Sequence, residues 1–109
     1  MTEARLYLLQ RASAMVLAPL VLVHVGLVIY AVGDGLSAAE ILGRTQGSVA
    51  WTLFYGLFVL AAAVHAPIGL RNIVQEWTRW RGPSLNWAMA TFGLVLLALG
   101  GRAVAAVVT

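Results

Sequence analysis

Cysteine is absent from this 109-residue chain, which excludes a disulfide framework, a thiolate metal site, an iron–sulfur cluster ligated by the chain, and a cysteine nucleophile. Charge is scarce: charged residues make up 10% of the sequence, against roughly 25% in an ordinary soluble domain. Lysine is missing, and the 7 basic residues, all arginine, face only Glu3, Asp34, Glu40 and Glu76, for a formal net charge of +3. So small an excess leaves no nucleic-acid footprint. The length leaves no room for a large catalytic domain, and without cysteine any redox centre must use histidine or come from a partner. What is abundant is apolar: 61% of residues are hydrophobic and mean hydropathy is +0.90, the composition of a membrane protein.

Three apolar runs, Ala14–Val32, Val49–Leu70 and Trp87–Val108, are long enough to cross a bilayer as helices. They predict an all-α fold of three transmembrane helices, with spans at about 11–32, 48–72 and 85–108, in a single membrane-anchor domain of residues 1–109. Between the first two runs, the polar segment Gly33–Gly47 contains Ser37 and Glu40 at the spacing of a capping box, so a short surface helix is expected there. No cleavable signal peptide is expected, because the first apolar run is long and lacks a small-residue cleavage site.

With three spans, the N-terminus and the second loop share one side, which carries Arg5, Arg11, Arg71, Arg79 and Arg81; the first loop carries only Arg44, together with two acids. The positive-inside rule therefore places the N-terminus in the cytoplasm, in a multi-pass protein of a bacterial-type inner membrane. Trp77, Trp80 and Trp87 then belong to the cytoplasmic aromatic belt and Trp51 to the opposite one.

Only His24, His65 and Arg102 can ionise within the spans, and such groups are costly in hydrocarbon unless satisfied. Neutral imidazole is a ready ligand for haem iron. Ala61 and Ala62 lie one turn before His65 and Gly69 one turn after, a small-residue face that a porphyrin could approach. The other reading has His65 hydrogen-bonding a neighbouring helix, or the Ala63 carbonyl freed by Pro67. His24 stands among the bulkier Leu20, Val21, Leu27 and Val28, and the same two readings, ligand or packing, apply to it. Arg102 either snorkels to the outer interface or pairs with a propionate of a haem at the depth of His24.

Depth separates the two histidines. With Arg11 and Arg71 at the cytoplasmic surface, His24 lies about 20 Å deep and His65 about 9 Å deep. The two axial nitrogens of one haem are only about 4 Å apart. A single chain therefore does not supply both ligands of one haem. Either His65 shares its haem with another subunit, or there are two haems at different depths, each completed by a partner.

Two segments resemble the cytochrome b membrane anchors of succinate dehydrogenase and fumarate reductase. The family pattern near span one, Ser-x-x-His-Arg-x-Ser-Gly, corresponds to Tyr7 through Ala14, where Arg11 and Ser13 match while Tyr7, Gln10 and Ala14 depart from it. The span-two pattern, His-x-x-x-Gly-x-Arg-His-x-x-x-Asp, corresponds to His65, Gly69 and Arg71, with Asn72 for the second histidine and Glu76 for the aspartate. The resemblance implies that the chain is the anchor half of a haem-binding helical bundle. It implies haem b with His65 as one axial ligand and the other from a second membrane-anchor subunit. Arg11 and Arg71 would then lie near haem propionates and a ubiquinone or menaquinone pocket, for which Tyr7, Gln10, Ser13 and Arg11 are the candidate residues. Some anchors of the wider family hold two haems, which makes His24 a candidate ligand of the second. The implied partners are the iron–sulfur and flavoprotein subunits, because this chain has no room for the flavin chemistry.

Two other classes remain open on sequence: a haem-free structural anchor of a redox complex, and a small dimeric transporter. The transporter would have to couple protons through a histidine, because no acid lies within a span.

Overall fold

A computed structural model describes residues 2–109; Met1, part of the expected domain, lies outside the described residues. The chain is all helical: α1 Glu3–Asp34, α2 Ala38–Thr45, α3 Val49–Trp77 and α4 Pro83–Val108, with no strand among the described residues. The three long helices are each long and apolar enough to cross a membrane. The short α2 carries the expected capping box: Ser37 Oγ accepts from Glu40 N, and Ser37 N donates to the Glu40 carboxylate.

Two helices outrun their apolar stretches. α1 begins at Glu3 rather than near residue 11, since Thr2 caps it by accepting from Arg5 N and the residues that follow are mostly good helix formers. α3 continues to Trp77, where Thr78 Oγ donates to Val74 O and Arg81 Nη2 to Gln75 O, so the last carbonyls find donors. Gly82, at φ 92°, turns the chain into Pro83 at the first position of α4, where a missing N–H costs nothing.

α3 is the central helix, and α1 and α4 both pack chiefly on it. Contacts from Glu3 to Arg71, Ser13 to His65 and His24 to Phe58 run in opposite directions along α1 and α3, so the pair is antiparallel. α4 is antiparallel to α3 in turn, with Asn86 at Arg71, Gly93 at Pro67 and Gly100 at Val59. Glycine at 93 and 100 is what brings α4 so close. A Cβ at 93 would sit 3.1 Å from Ala63 O, and one at 100 would sit 2.5 Å from Val59 Cγ1. At the far end, α2 ties the bundle together through Arg44 to Asp34, Thr45 Oγ1 to Val107 O and Gln46 Nε2 to Thr109 O.

Among the described residues the buried apolar core is Ala61, Ile68, Leu85 and Met89, while Met15, Leu22 and Ile29 stand 74%, 74% and 69% exposed. A soluble domain could not leave such a surface to water. In hydrocarbon these side chains are solvated, and close helix contact rests on small residues rather than on a large core.

Candidate functional site

The two sequence segments singled out above meet across the α1–α3 seam. Ser13 is buried at 7% exposure, and its Oγ lies 3.2 Å from His65 Nδ1 and 3.0 Å from the Gln10 carbonyl oxygen. His65 is half-buried; within the described residues its ring has no hydrogen bond besides the one at Nδ1. One ring nitrogen is thus held by a helix and the other is left with its capacity open. Of the two alanines one turn before it, Ala61 is buried in the core and Ala62 is half-buried. The space over Gly69 is taken by Gln10, whose Nε2 would lie 3.2 Å from a Cβ there, so the small-residue face expected around His65 is not open over Gly69. Gln10 Oε1 is buried and finds no hydrogen-bond partner among the described residues.

Arg71 lies elsewhere. It is buried at 7% exposure and turned toward the α3–α4 side, where Nε donates to Asn86 Oδ1 at 2.9 Å. Its Nη1 and Nη2 donate to the two Glu3 carboxylate oxygens at 3.3 and 2.7 Å. The guanidinium therefore ties α1, α3 and α4 together at one end of the bundle. With Asn86 it forms the polar part of a groove of about 550 Å³ whose other lining is apolar, including Leu9, Leu60, Met89 and Leu94. Arg11 is exposed, with its guanidinium 5.8 Å from the centre of the Tyr7 ring; Tyr7 is itself 61% exposed. These two form an outward-facing pair two and six residues before Ser13.

His24 sits at the other level. Its ring lies 5.4 Å from that of Phe58 and 6.5 Å from that of Tyr55. A cavity of about 450 Å³ opens beside it, lined also by Trp51, Tyr30, Arg44 and Thr45. From Ser13 to His24 is about 16 Å along α1, and from Phe58 to His65 about 10 Å along α3, so the two histidines occupy separate depths as the sequence arithmetic expects. Arg102 is exposed and has no polar partner among the described residues. It stands two residues from Gly100, which faces α3, and so points away from that helix; the structure does not bring it to the His24 cavity.

Glu3, Asn86, Tyr55 and Phe58 were not picked out from sequence. The aromatic pair had a readable signal, since Trp51, Phe54, Tyr55 and Phe58 fall at helical spacing on one face of α3. Glu3 and Asn86 had none, being an acid and an amide far from Arg71 in the sequence.

Three antiparallel apolar helices joined by short polar segments, with a histidine held at a helix seam, define a multi-pass helical membrane subunit. Residues 2–107 match the succinate dehydrogenase/fumarate reductase transmembrane subunit family. The chain belongs to that family, which makes it a membrane subunit of a multisubunit complex. No curated protein and no solved structure matches closely enough to add a named relative.

Proposed function

We propose that the chain is a cytochrome b membrane anchor of succinate:quinone oxidoreductase, in which His65 holds haem b iron and the α1 turn around Arg11 helps form the quinone site. The observation that carries this reading is the His65 ring, tied at Nδ1 to Ser13 and free at its second nitrogen. Imidazole ligands to metals are commonly fixed in this way, by a partner at the nitrogen that does not bind. The other ligand would come from a second membrane-anchor subunit, because His24 lies too far along the bundle. When bound, haem supplies a one-electron centre beside the quinone.

This chain's own residues then orient and hold. Ser13 fixes the imidazole, and Arg11, Tyr7 and Gln10 offer polar contacts to a ubiquinone or menaquinone head near the cytoplasmic interface. The arginine-rich end formed by Arg5, Arg11, Arg79 and Arg81 meets the iron–sulfur subunit, with the flavoprotein beyond it. Protons for quinone reduction arrive from cytoplasmic water, since the spans hold no acid to relay them. In this orientation the N-terminus is cytoplasmic in a bacterial-type inner membrane. His24 and Arg102 are the residues available to a second haem nearer the outer face.

The test is a reduced-minus-oxidised absorption spectrum, with haem quantified per copy of the chain, on the complex isolated from native membranes. A b-type band with one or two haems per complex is the expected result. An intact complex with no haem would leave a structural anchor.

A further inference from the structure

We infer that Ser13 is a positioning residue for His65, fixing the tautomer that leaves Nε2 free to bind iron, rather than a contact to quinone. This deepens the haem reading and rests on it.

The hydroxyl of Ser13 carries one hydrogen and has two neighbours within reach, the Gln10 carbonyl at 3.0 Å and His65 Nδ1 at 3.2 Å. A carbonyl oxygen can only accept, so the Gln10 contact requires the Ser13 hydrogen. Oγ then presents a lone pair to His65, and the bond between them forms only if Nδ1 carries the proton. In the neutral ring the proton at Nδ1 leaves Nε2 as the basic nitrogen. In the opposite arrangement the hydroxyl would donate to an unprotonated Nδ1, and the ring proton would sit on Nε2. That proton would have no acceptor among the described residues in a site without bulk water, and no lone pair would remain for a metal. Ser13 is buried at 7% exposure, so its hydroxyl faces the seam rather than an open pocket. A serine back-bonded to its own helix is an unusual device for steering an imidazole. It works here because α1 and α3 approach closely at this level, where Gln10 also packs on Gly69.

A hydrogen bond at the outer nitrogen makes imidazole a stronger donor to its metal. Removing it weakens the ligand, favours the reduced iron and raises the midpoint potential.

The experiment has two arms. In the first, the full chain without haem is labelled with ¹⁵N-histidine in lipid bilayers, and the ring nitrogen shifts of His65 are read by magic-angle-spinning NMR, assigned by their loss in His65→Gln. The native chain is expected to show protonated Nδ1 and unprotonated Nε2, Ser13→Ala a mixture of tautomers, and Ser13→Thr, which keeps a hydroxyl, the native pattern. In the second arm, the midpoint potential of haem in the assembled complex shifts upward in Ser13→Ala and returns in Ser13→Thr. A protonated Nε2 in the native chain overturns the inference. So does a Ser13→Ala complex whose tautomer and potential are both native. A chain with the expected tautomer whose complex carries no haem overturns the haem reading alone, so the two failures are distinguishable.

Discussion

Arg71 and Glu3, 68 positions apart, form a two-pronged ion pair across the bundle, with Nη2 2.7 Å from Oε1 and Nη1 3.3 Å from Oε2. The partners contribute unequally, because the Arg71 side chain is 8% exposed and that of Glu3 75%. Glu3 is largely solvated, and glutamine in its place keeps an oxygen that can accept from the guanidinium, whereas loss of Arg71 undoes the contacts to both Glu3 and Asn86. Arg71→Met is therefore expected to lower the thermal unfolding temperature of the purified chain by several degrees, and Glu3→Gln by clearly less. Equal losses in the two variants would show that the ion pair itself, rather than the buried guanidinium, joins the three helices.

The separate depths of the histidines give different expectations for their removal. His65→Ala is expected to abolish the haem nearer the cytoplasm while the chain still inserts, because the apolar run is unchanged in length. His24→Ala is expected to remove one haem of two. Haem quantified per chain checks both: full haem in His65→Ala removes the assignment of that residue, and unchanged stoichiometry in His24→Ala leaves His24 to its packing against Phe58.

Much of the architecture was readable because the bilayer simplifies the rules. Three apolar runs must become three helices, since every backbone polar group has to be satisfied within its own segment. Ser37 and Glu40 announced α2 because a capping box is local in sequence. The start of α1 at Glu3 was not readable from hydropathy, since helix propensity and the Thr2 cap carry it past the apolar boundary. The site divided in the same way. His65 and Ser13 were each visible as candidates, but their contact depends on how α1 and α3 lie together. The clasp of Arg71 by Glu3 and Asn86 depends on three helices at once, and no local pattern encodes it.

Gly100 faces Val59 so closely that a Cβ would stand 2.5 Å from Cγ1 and 2.9 Å from Cγ2. Gly100→Ala is expected to cost about 1–3 kcal/mol, the usual range for overpacking. Combining it with Val59→Ala should recover most of that loss, because the obstructing methyl groups are gone. A double variant no more stable than Gly100→Ala would place the cost in the backbone instead.

The chain has no cysteine of its own, so single cysteines report topology directly. Ala4→Cys and Ala39→Cys, both at exposed positions at opposite ends of the bundle, are expected to differ in intact cells. A membrane-impermeant thiol reagent should label Ala39→Cys and spare Ala4→Cys, as the arginine asymmetry requires. The reverse pattern would invert the orientation and move the soluble partners to the other side.

Gln10 lies at the same seam as His65 but has an unmet need: its Oε1 is buried without a partner among the described residues. An unsatisfied buried acceptor costs about 1–3 kcal/mol, so Gln10→Met, similar in length and apolar, is expected to stabilise the chain by an amount within that range. If the amide is kept to bind quinone, the same substitution should lower kcat/KM for quinone about tenfold, the equivalent of one lost hydrogen bond. Haem content should stay full, since Ser13 rather than Gln10 holds His65. Gain of stability together with loss of quinone turnover identifies Gln10 as a group held in strain for its substrate. Gain of stability with unchanged turnover removes it from the quinone site and leaves Arg11 and Tyr7 as the contacts on α1.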